Sequence, residues 1–294
     1  MALTSQLRSG FIGAGKVGVS LGAYLKSKGF DVIGYFSRNL ESAKNAASIT
    51  SSSCLTIKEL VAECNLIWIT TPDDQIEKVW NELVHYELDG KLICHTSGVK
   101  DATVFTGIIA KGAFGYSVHP MRAFADKTGK IEGLETTCFT LEGDPTHYQQ
   151  FKQFFRTLGN KLFFIDRKDK PMYHLANVMV TNLVLGLLSM GSEYLSQCGS
   201  FSEGAIEALL PMIENNINNL KRNGFSNALT GPVERNDLGT VIRHFDILSP
   251  CDLHIYKDLS RKILDLAVKK RPKRDYSSML QILETAGLDY TRSN

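Results

Sequence analysis

Hydrophobic and polar positions alternate in two different ways along the 294-residue chain. From the start to about residue 165, short apolar runs alternate with segments in which apolar residues recur every three or four positions. The short runs predict strands and the periodic segments predict helices. Strands and helices that alternate in this way form a doubly wound, mainly parallel sheet. We therefore predict an α/β domain of the Rossmann type over residues 1–166.

The predicted elements of this first domain follow one another closely. Strands are predicted at 7–12, 31–36, 66–70, 91–94, 115–118, 138–142 and 161–165. Helices are predicted at 17–28, 40–47, 57–62, 75–84 and 147–158. The ligands of such a sheet bind beyond the carboxyl ends of its strands, so the loops at those ends are where we look for chemistry.

Beyond residue 166 the strand pattern ends and long helical patterns follow, at 171–198, 202–222, 237–248, 250–270 and 276–286. We therefore predict an all-helical second domain over residues 167–294. Ser249 precedes Pro250, with Asp252 three residues after the serine, which indicates a capped helix start. The apolar run 175–190 is short for a bilayer and contains asparagine and threonine, so we expect a buried central helix and no membrane span.

Three glycines at Gly13, Gly15 and Gly18 stand between the first strand and the first helix. There the first glycine permits a tight turn, the second lets the backbone approach a pyrophosphate, and the third lets the helix pack against the strand. Such a glycine trio also occurs by chance in unrelated loops, but the strand before it and the helix after it favour a cofactor cradle. The residues predicted to form it are Gly13, Ala14, Gly15, Lys16, Val17 and Gly18.

The end of the second strand bears on which dinucleotide binds. An NAD site would place an acidic residue there, whereas this chain has Ser37, Arg38 and Asn39. A carboxylate would repel a 2′-phosphate, but serine and arginine can bind one, so we predict NADP, with NADPH preferred over NADH. The alternative is a solvated arginine in a loop. After the third strand, Thr70, Thr71 and Pro72 are predicted to contact the cofactor, although they could equally form a turn.

The helix after the domain junction carries the strongest catalytic candidates. Lys170, His174 and Asn177 are spaced by four and three residues and therefore lie on one helix face. They could satisfy one another in a core, but a lysine is hard to bury without a function or an anionic partner.

Further candidates lie in loops. Ser97 and Gly98 follow the fourth strand, and His119 follows the fifth. Arg235 lies farther along the chain, where it could bind a substrate carboxylate or form a salt bridge. These four residues are the predicted substrate contacts, although His119, like His95, also suits a purely structural hydrogen-bonded role.

Composition narrows the function classes. The formal net charge of +2 gives no sign of nucleic-acid binding, and the basic run 269–274 suits a helix C-terminus. The six cysteines are scattered without a CxxC pair, so we expect reduced cysteines and no metal site. The N-terminus lacks the pattern of a secretion signal, so we expect a cytoplasmic protein.

The order of GFIGAGKVG, SRN, TTPDDQI, HTSG, HPM, KPMYHLANVMVTN and LTGPVERNDLGTVIRH resembles a known family. Its members join a Rossmann-like domain to the uncharacterised domain DUF2520. They are related to pyrroline-5-carboxylate reductases, F420-dependent NADP oxidoreductases and β-hydroxyacid dehydrogenases. The resemblance implies NADP binding and a helical domain like that of 6-phosphogluconate dehydrogenase, often used to form dimers.

In the β-hydroxyacid relatives, a lysine followed on the same helix by an asparagine carries the chemistry. Lys170 matches that lysine, but His174 stands four residues after it and Asn177 seven. We therefore expect an NADPH-dependent oxidoreductase of a small carbonyl, hydroxy-acid or imine compound. Lys170 would be proton donor or electrophile, oriented by His174 and Asn177. The alternative is a non-catalytic NADP-binding sensor or scaffold.

Overall fold

A computed structural model describes residues 7–124 and 128–285 of the chain. Its eight strands are β1 Arg8–Ile12, β2 Asp31–Phe36, β3 Ser53–Cys54, β4 Leu66–Ile69, β5 Leu92–His95, β6 Phe114–Pro120, β7 Phe139–Gly143 and β8 Leu162–Phe164. The helices of the same region are α1 Lys16–Ser27, α2 Leu40–Thr50, α3 Ile57–Glu63, α4 Ile76–Leu83 and α5 Tyr148–Leu158.

The eight strands form one sheet in the order β3-β2-β1-β4-β5-β6-β7-β8. All neighbouring pairs are parallel except β6 and β7, which are antiparallel. This confirms the predicted doubly wound, mainly parallel sheet. The strand order reverses between β1 and β4, where such sheets open a crevice for a ligand. Only the two-residue edge strand β3 was not predicted, because it is too short to give a pattern.

Hydrophobic side chains fill both faces of the sheet. Phe11 and Trp68 belong to one core cluster, while Ile12, Ile67 and Ile69 belong to the cluster on the other face. Successive residues of a strand point to opposite faces, so a strand buried on both sides needs a continuous apolar run. The runs that predicted the strands are the consequence of this two-sided burial.

The described residues from Lys170 onward form helices joined by turns and loops, without a strand, as predicted. Its helices are α6 Lys170–Val180, α7 Asn182–Ser196, α8 Ala205–Ala228, α9 Pro232–Arg235, α10 Leu238–Phe245, α11 Pro250–Lys270 and α12 Ser277–Thr285. The single helix predicted at 171–198 is wrong, because the chain breaks at Thr181 (φ −117°, ψ −73°). The Thr181 hydroxyl donates to the carbonyl of Asn177 at 2.7 Å, a side-chain bond that competes with regular helix geometry.

The chain divides into two compact units between Val184 and Leu185. The sequence predicts the boundary earlier, between residues 166 and 167, and so assigns α6 to the second domain. In the structure α6 belongs to the first unit, because the side chain of its first residue, Lys170, bonds to Ser97 and Ser117.

The prediction that residues 175–190 form a buried central helix is also wrong. The helical segment Arg167–Ser196 has a mean hydropathy of 1.5, and none of its apolar window is buried within this chain. Among the described residues it is the one segment long and apolar enough, by length and composition, to cross a membrane. Side chains such as Val180 (71% exposed) and Leu185 (66%) are not covered by the residues that the structure describes.

The second unit explains the basic run at 269–274. Lys270 donates to the carbonyl of Leu229 at 2.8 Å, and Arg271 pairs with the buried carboxylate of Glu234 at 2.7 Å. These bonds fasten the end of α11 to α9 and to the end of α8. The basic run therefore has a structural role at a helix C-terminus, as its sequence indicates.

Candidate functional site

The three glycines between β1 and α1 have different surroundings. Gly13 has φ +113°, and a Cβ there would lie 2.8 Å from the carbonyl carbon of Thr70. A Cβ at Gly18 would collide with the Thr70 hydroxyl and the Gly13 carbonyl oxygen. A Cβ at Gly15 would meet only the Thr70 carbonyl oxygen, at 3.8 Å. The fold itself requires Gly13 and Gly18, whereas the space beside Gly15 is left open.

This open space is part of a cleft of about 590 Å³ at the carboxyl ends of β1, β2 and β4. Gly15 caps α1 without a side chain, so the amides of the first helical turn remain for an anion. Most of the predicted cofactor residues line the cleft, namely Gly13, Ala14, Gly15, Ser37, Arg38, Asn39, Thr70, Thr71 and Pro72. The others, Lys16, Val17 and Gly18, do not line it but form the first turn of α1.

The far end of the cleft carries more positive than negative charge. Arg38 is exposed and makes no ion pair with any residue that the structure describes. Lys78 adds a second cation, and Glu82 is the carboxylate of the lining. The Asn39 side chain is already used, since it accepts the amide of Ser42 at 3.0 Å and caps α2.

The two threonines after β4 have separate roles. The Thr70 hydroxyl donates to the Gly13 carbonyl at 2.7 Å and thereby fixes the glycine turn. The Thr71 hydroxyl lines the cleft, is buried, and has no hydrogen-bond partner among the described residues. A buried hydroxyl without a partner costs free energy unless a ligand supplies one. The open side of Gly15, the free amides of α1 and Thr71 together fit a dinucleotide.

Lys170, at the start of α6, is 1% exposed. Its ammonium donates to the Ser97 carbonyl at 3.1 Å and to the Ser117 hydroxyl at 2.5 Å, which leaves a third proton. Burial lowers the pKa of Lys170 from its usual value to about 8, against the opposing effect of Glu142. A lysine in this state can gain or release a proton near neutral pH.

The loop after β5 places the carbonyl that holds Lys170. The Ser97 hydroxyl accepts the amides of Val99 and Lys100, at 3.3 and 3.0 Å. His95 bonds to the Ser97 amide and to the Asp101 carbonyl, and burial lowers its pKa to about 3. The hydroxyl oxygen of Ser97, predicted to hold substrate, accepts these two amides, and the residue also holds Lys170 through its carbonyl.

Two imidazoles pack against Gly98. A Cβ at Gly98 would lie 3.0 Å from His119 Nε2 and 3.0 Å from His174 Nδ1. His119 Nδ1 is bonded to the Tyr173 hydroxyl at 2.6 Å, and burial lowers the pKa of His119 to about 4. His174 Nδ1 is buried and has no partner among the described residues. Gly98 therefore lets the His119 and His174 rings pack beside the loop whose Ser97 carbonyl holds Lys170.

The remaining predicted site residues are less central. The Asn177 side chain donates to the Tyr173 carbonyl at 2.8 Å, within its own helix. Arg235 lies on α9 in the second unit, where it is exposed and its charge acts on Asp237. The structure thus brings together Ser97, Gly98, His119, Lys170 and His174 within the first unit.

Sequence reasoning missed three residues of this group: Ser117, Glu142 and Tyr173. Ser117 and His119 share one face of β6, opposite Glu142 and Thr140 on β7. The alternation of polar with apolar residues in FGYSVHP and FTLEG carries this signal. It is recognised only when the two strands are known to be neighbours.

Family models match both halves of the chain. Residues 2–120 match a Rossmann-like domain, and residues 137–263 match a domain of unknown function, DUF2520. The chain belongs to the two-domain family that joins these domains. None of the curated proteins matches its sequence significantly.

Solved structures of similar fold include protein TM1727 from Thermotoga maritima, with 24% identity over 90% of this chain and 99% of that one, and a TM-score of 0.72. Protein BF3122 from Bacteroides fragilis, named as a candidate NADP oxidoreductase, has 24% identity over 89% and 99%, and a TM-score of 0.69. Pyrroline carboxylate reductase from Plasmodium falciparum, solved with NADP bound, has 13% identity over 91% and 97%, and a TM-score of 0.61. At these identities the likeness establishes the fold.

The Rossmann-like/DUF2520 chain therefore has a nucleotide-binding fold with a cleft at its topological switch point. Beside β5 and β6 of the same sheet, Lys170 of α6 bonds to Ser97 and Ser117, and His119 of β6 and His174 of α6 lie against Gly98. The first group of residues can hold a dinucleotide, and the second can exchange a proton.

Proposed function

We propose that this protein is an NADP(H)-dependent oxidoreductase that reduces or oxidises a small carbonyl, hydroxy-acid or imine compound. The observation that carries the proposal is a buried Lys170 with a lowered pKa, at the sheet edge that also forms the glycine-lined cleft. Protein side chains do not carry hydride, and the nicotinamide would supply it. The protein's part is to bind, orient and move a proton.

Different residues of the cleft would bind different parts of the cofactor. The amides of α1 and the open side of Gly15 suit the pyrophosphate. Ser37 and the unpaired guanidinium of Arg38 suit a 2′-phosphate, since arginine can bind phosphate with two parallel hydrogen bonds. Thr71 would satisfy its buried hydroxyl on the same ligand.

Lys170 is the proposed proton donor to the reduced carbonyl or imine, and the acceptor in the reverse direction. Its third proton is not used by Ser97 or Ser117, and its pKa of about 8 allows the transfer near neutral pH. The free ring nitrogens of His119 and His174 would hold the substrate beside Gly98. Asn177 would keep α6 in register through its bond to Tyr173.

The cofactor proposal is tested by titrating the purified protein with NADPH and with NADH and following nicotinamide fluorescence. We expect tighter binding of NADPH, and loss of that preference in Arg38→Asp. Arg156→Asp, a charge reversal at an exposed residue of α5, serves as the control and should keep the preference. Equal affinity for both cofactors in wild type would refute the 2′-phosphate site.

The catalytic proposal is tested by Lys170→Met, once a substrate screen with NADPH gives turnover. We expect turnover to be lost while NADPH affinity stays within a few-fold of wild type. Lys168→Met, at an exposed lysine two residues earlier, should change neither. Unchanged turnover in Lys170→Met would remove Lys170 from the mechanism. Binding of NADPH with no turnover of any compound would favour the sensor or scaffold alternative.

We also propose that the chain forms a cytoplasmic homodimer through its helical half. The exposed apolar side chains of α6 and α7, among them Val180 and Leu185, would be covered by a second copy. Sedimentation should give a dimer for wild type and a monomer for Leu185→Asp. A wild-type monomer that partitions onto phospholipid vesicles would overturn this assembly.

A further inference from the structure

Two side chains in the described part of the first unit are both buried and ordinarily charged. These are Lys170, 1% exposed, and Glu142, 6% exposed. His95 is buried as well, but its pKa of about 3 keeps it neutral. A charge taken out of water is costly unless an opposite charge or strong hydrogen bonds compensate it. One buried cation and one buried anion in the same unit therefore call for a physical connection.

That connection runs across the antiparallel pair β6 and β7. Ser117 on β6 lies directly opposite Glu142 on β7, and the Ser117 hydroxyl oxygen accepts a hydrogen bond from the Lys170 ammonium. Glu142 itself accepts the amide of Ala102 at 2.8 Å. The loop 97–102 is thus held at one end by Lys170, through the Ser97 carbonyl, and at the other by Glu142.

The two charges act on each other without direct contact, since no ion pair joins them among the described residues. Burial raises the pKa of Glu142, and the charge of Lys170 opposes that rise. Burial lowers the pKa of Lys170, and the charge of Glu142 is the strongest opposing influence, ahead of Asp101 and Asp73. The other groups that face the pair are His95, His119, Arg167 and Tyr148.

We propose that Glu142 is a positioning residue: it is the buried counter-charge that keeps Lys170 protonated near neutral pH, and it fixes the loop against which Lys170 rests. The inference deepens the proposed function, because it assigns the group that sets the charge of the proposed proton donor.

The test is the titration of Lys170 itself, in the full chain labelled with 13C at the lysine ε carbon. The Lys170 resonance is assigned by its absence from Lys170→Met. We expect Glu142→Gln to lower the pKa of Lys170 by about 1 unit, since an adjacent opposite charge shifts a pKa by about 1 to 3 units. Glutamine can still accept the Ala102 amide, so this variant should stay folded. Glu87→Gln, at an exposed glutamate, should leave the Lys170 titration unchanged.

A second measurement approaches the pair from the other side. In Lys170→Met, the pKa of the Glu142 carboxyl, followed by 13C at the glutamate δ carbon, should rise. Glu142→Asp keeps the charge and should restore much of the wild-type titration of Lys170. The proposal is wrong if the pKa of Lys170 is the same in wild type and Glu142→Gln. It is also wrong if the pKa of Glu142 is the same in wild type and Lys170→Met.

These readouts need no turnover, so they separate this inference from the proposed function. If the two titrations are coupled but Lys170→Met remains active, Glu142 is the counter-charge of a lysine that does not transfer the proton. If Lys170→Met is inactive but Lys170 and Glu142 titrate independently of each other, the proposed function stands and the proposed role of Glu142 is wrong. In an active enzyme, Glu142→Gln should also move the limb of the kcat–pH profile in the direction of the shifted Lys170 pKa.

Discussion

Replacing Gly15 with alanine separates the cofactor cradle from the fold. The backbone of Gly15 has φ −86° and ψ −175°, a conformation that alanine adopts freely. The new Cβ would lie 3.8 Å from the Thr70 carbonyl oxygen, an ordinary contact distance. Alanine lowers the entropy of the unfolded chain but is a poorer helix cap than glycine, and the two effects offset. We expect the free energy of unfolding to change by less than about 0.5 kcal/mol.

The matched variant is Gly13→Ala, two residues earlier. Here φ is +113°, and the new Cβ would lie 2.8 to 2.9 Å from the backbone of Thr70 and Thr71. Forcing a side chain into this backbone region costs about 1 to 3 kcal/mol, and the overpacking adds about as much again. We therefore expect Gly13→Ala to lose at least about 2 kcal/mol of stability.

Gly15→Ala, the variant that should keep its stability, should lose affinity for the cofactor. In Gly15→Ala the methyl group occupies the space proposed for the pyrophosphate, so NADPH should bind at least about tenfold more weakly, equivalent to about 1.4 kcal/mol. Urea unfolding gives the stability of each variant, and nicotinamide fluorescence gives the affinity. If Gly15→Ala binds NADPH like wild type, the open side of Gly15 does not face the cofactor, and if Gly13→Ala is as stable as wild type, the turn geometry is wrong.

Three other outcomes test separate parts of the structure. Burial lowers the pKa of His95 to about 3, against about 6.5 in the unfolded chain, so the unfolded chain binds more protons between these two pH values. The free energy of unfolding should therefore fall as the pH falls through this window, by up to about 1.4 kcal/mol per pH unit. In urea unfolding at pH 7 and pH 5, His95→Gln should reduce this pH dependence, and an unchanged pH dependence would contradict the argument. Ser249→Ala removes the cap of α11 and should cost about 1 kcal/mol in thermal unfolding, whereas an unchanged midpoint would mean that the cap contributes nothing. Combining Lys170→Met with Glu142→Gln should destabilise the chain by less than the sum of the two single changes, with a coupling of about 0.5 to 3 kcal/mol, and strictly additive losses would show that the charges are independent.

The regular elements could be predicted closely because each carries its own local signal. The strand at 31–36 and the helix at 250–270 have the predicted bounds, since a two-sided apolar run marks the first and Ser249 with Pro250 marks the start of the second. The break at Thr181 could not be predicted, because threonine fits a helix pattern and the bond that ends α6 forms only in the folded helix. The exposure of α7 was missed for a related reason: an apolar pattern shows that a helix needs a cover, not which chain supplies it.

The site was predictable where its residues follow strands and less so where they lie within them. Loop position and helix spacing are enough to single out Lys170, His174 and Gly98 as candidates. Ser117 and Glu142 lie inside strands, and they become neighbours only through the register of β6 with β7. Cross-strand register is a property of the assembled sheet, which local sequence patterns do not encode. The sequence assigned the turn to Gly13, the pyrophosphate to Gly15 and helix packing to Gly18, and the structure adds that a Cβ would collide at Gly13 and Gly18 but not at Gly15.

The energetic cost of the charged pair is itself an argument about function. A hydrophobic pair of similar volume in place of Lys170 and Glu142 would often leave a fold as stable or make it more stable. Stability therefore gives no reason to bury one lysine and one glutamate, yet they are the two buried charges in the described part of the first unit. The lysine retains a proton for which the described residues offer no acceptor, and its pKa of about 8 lies close to the pH at which it would work. A costly group that is held in place and left able to exchange a proton is the arrangement that acid–base chemistry requires, and it stands at the same sheet edge as the cleft suited to a dinucleotide.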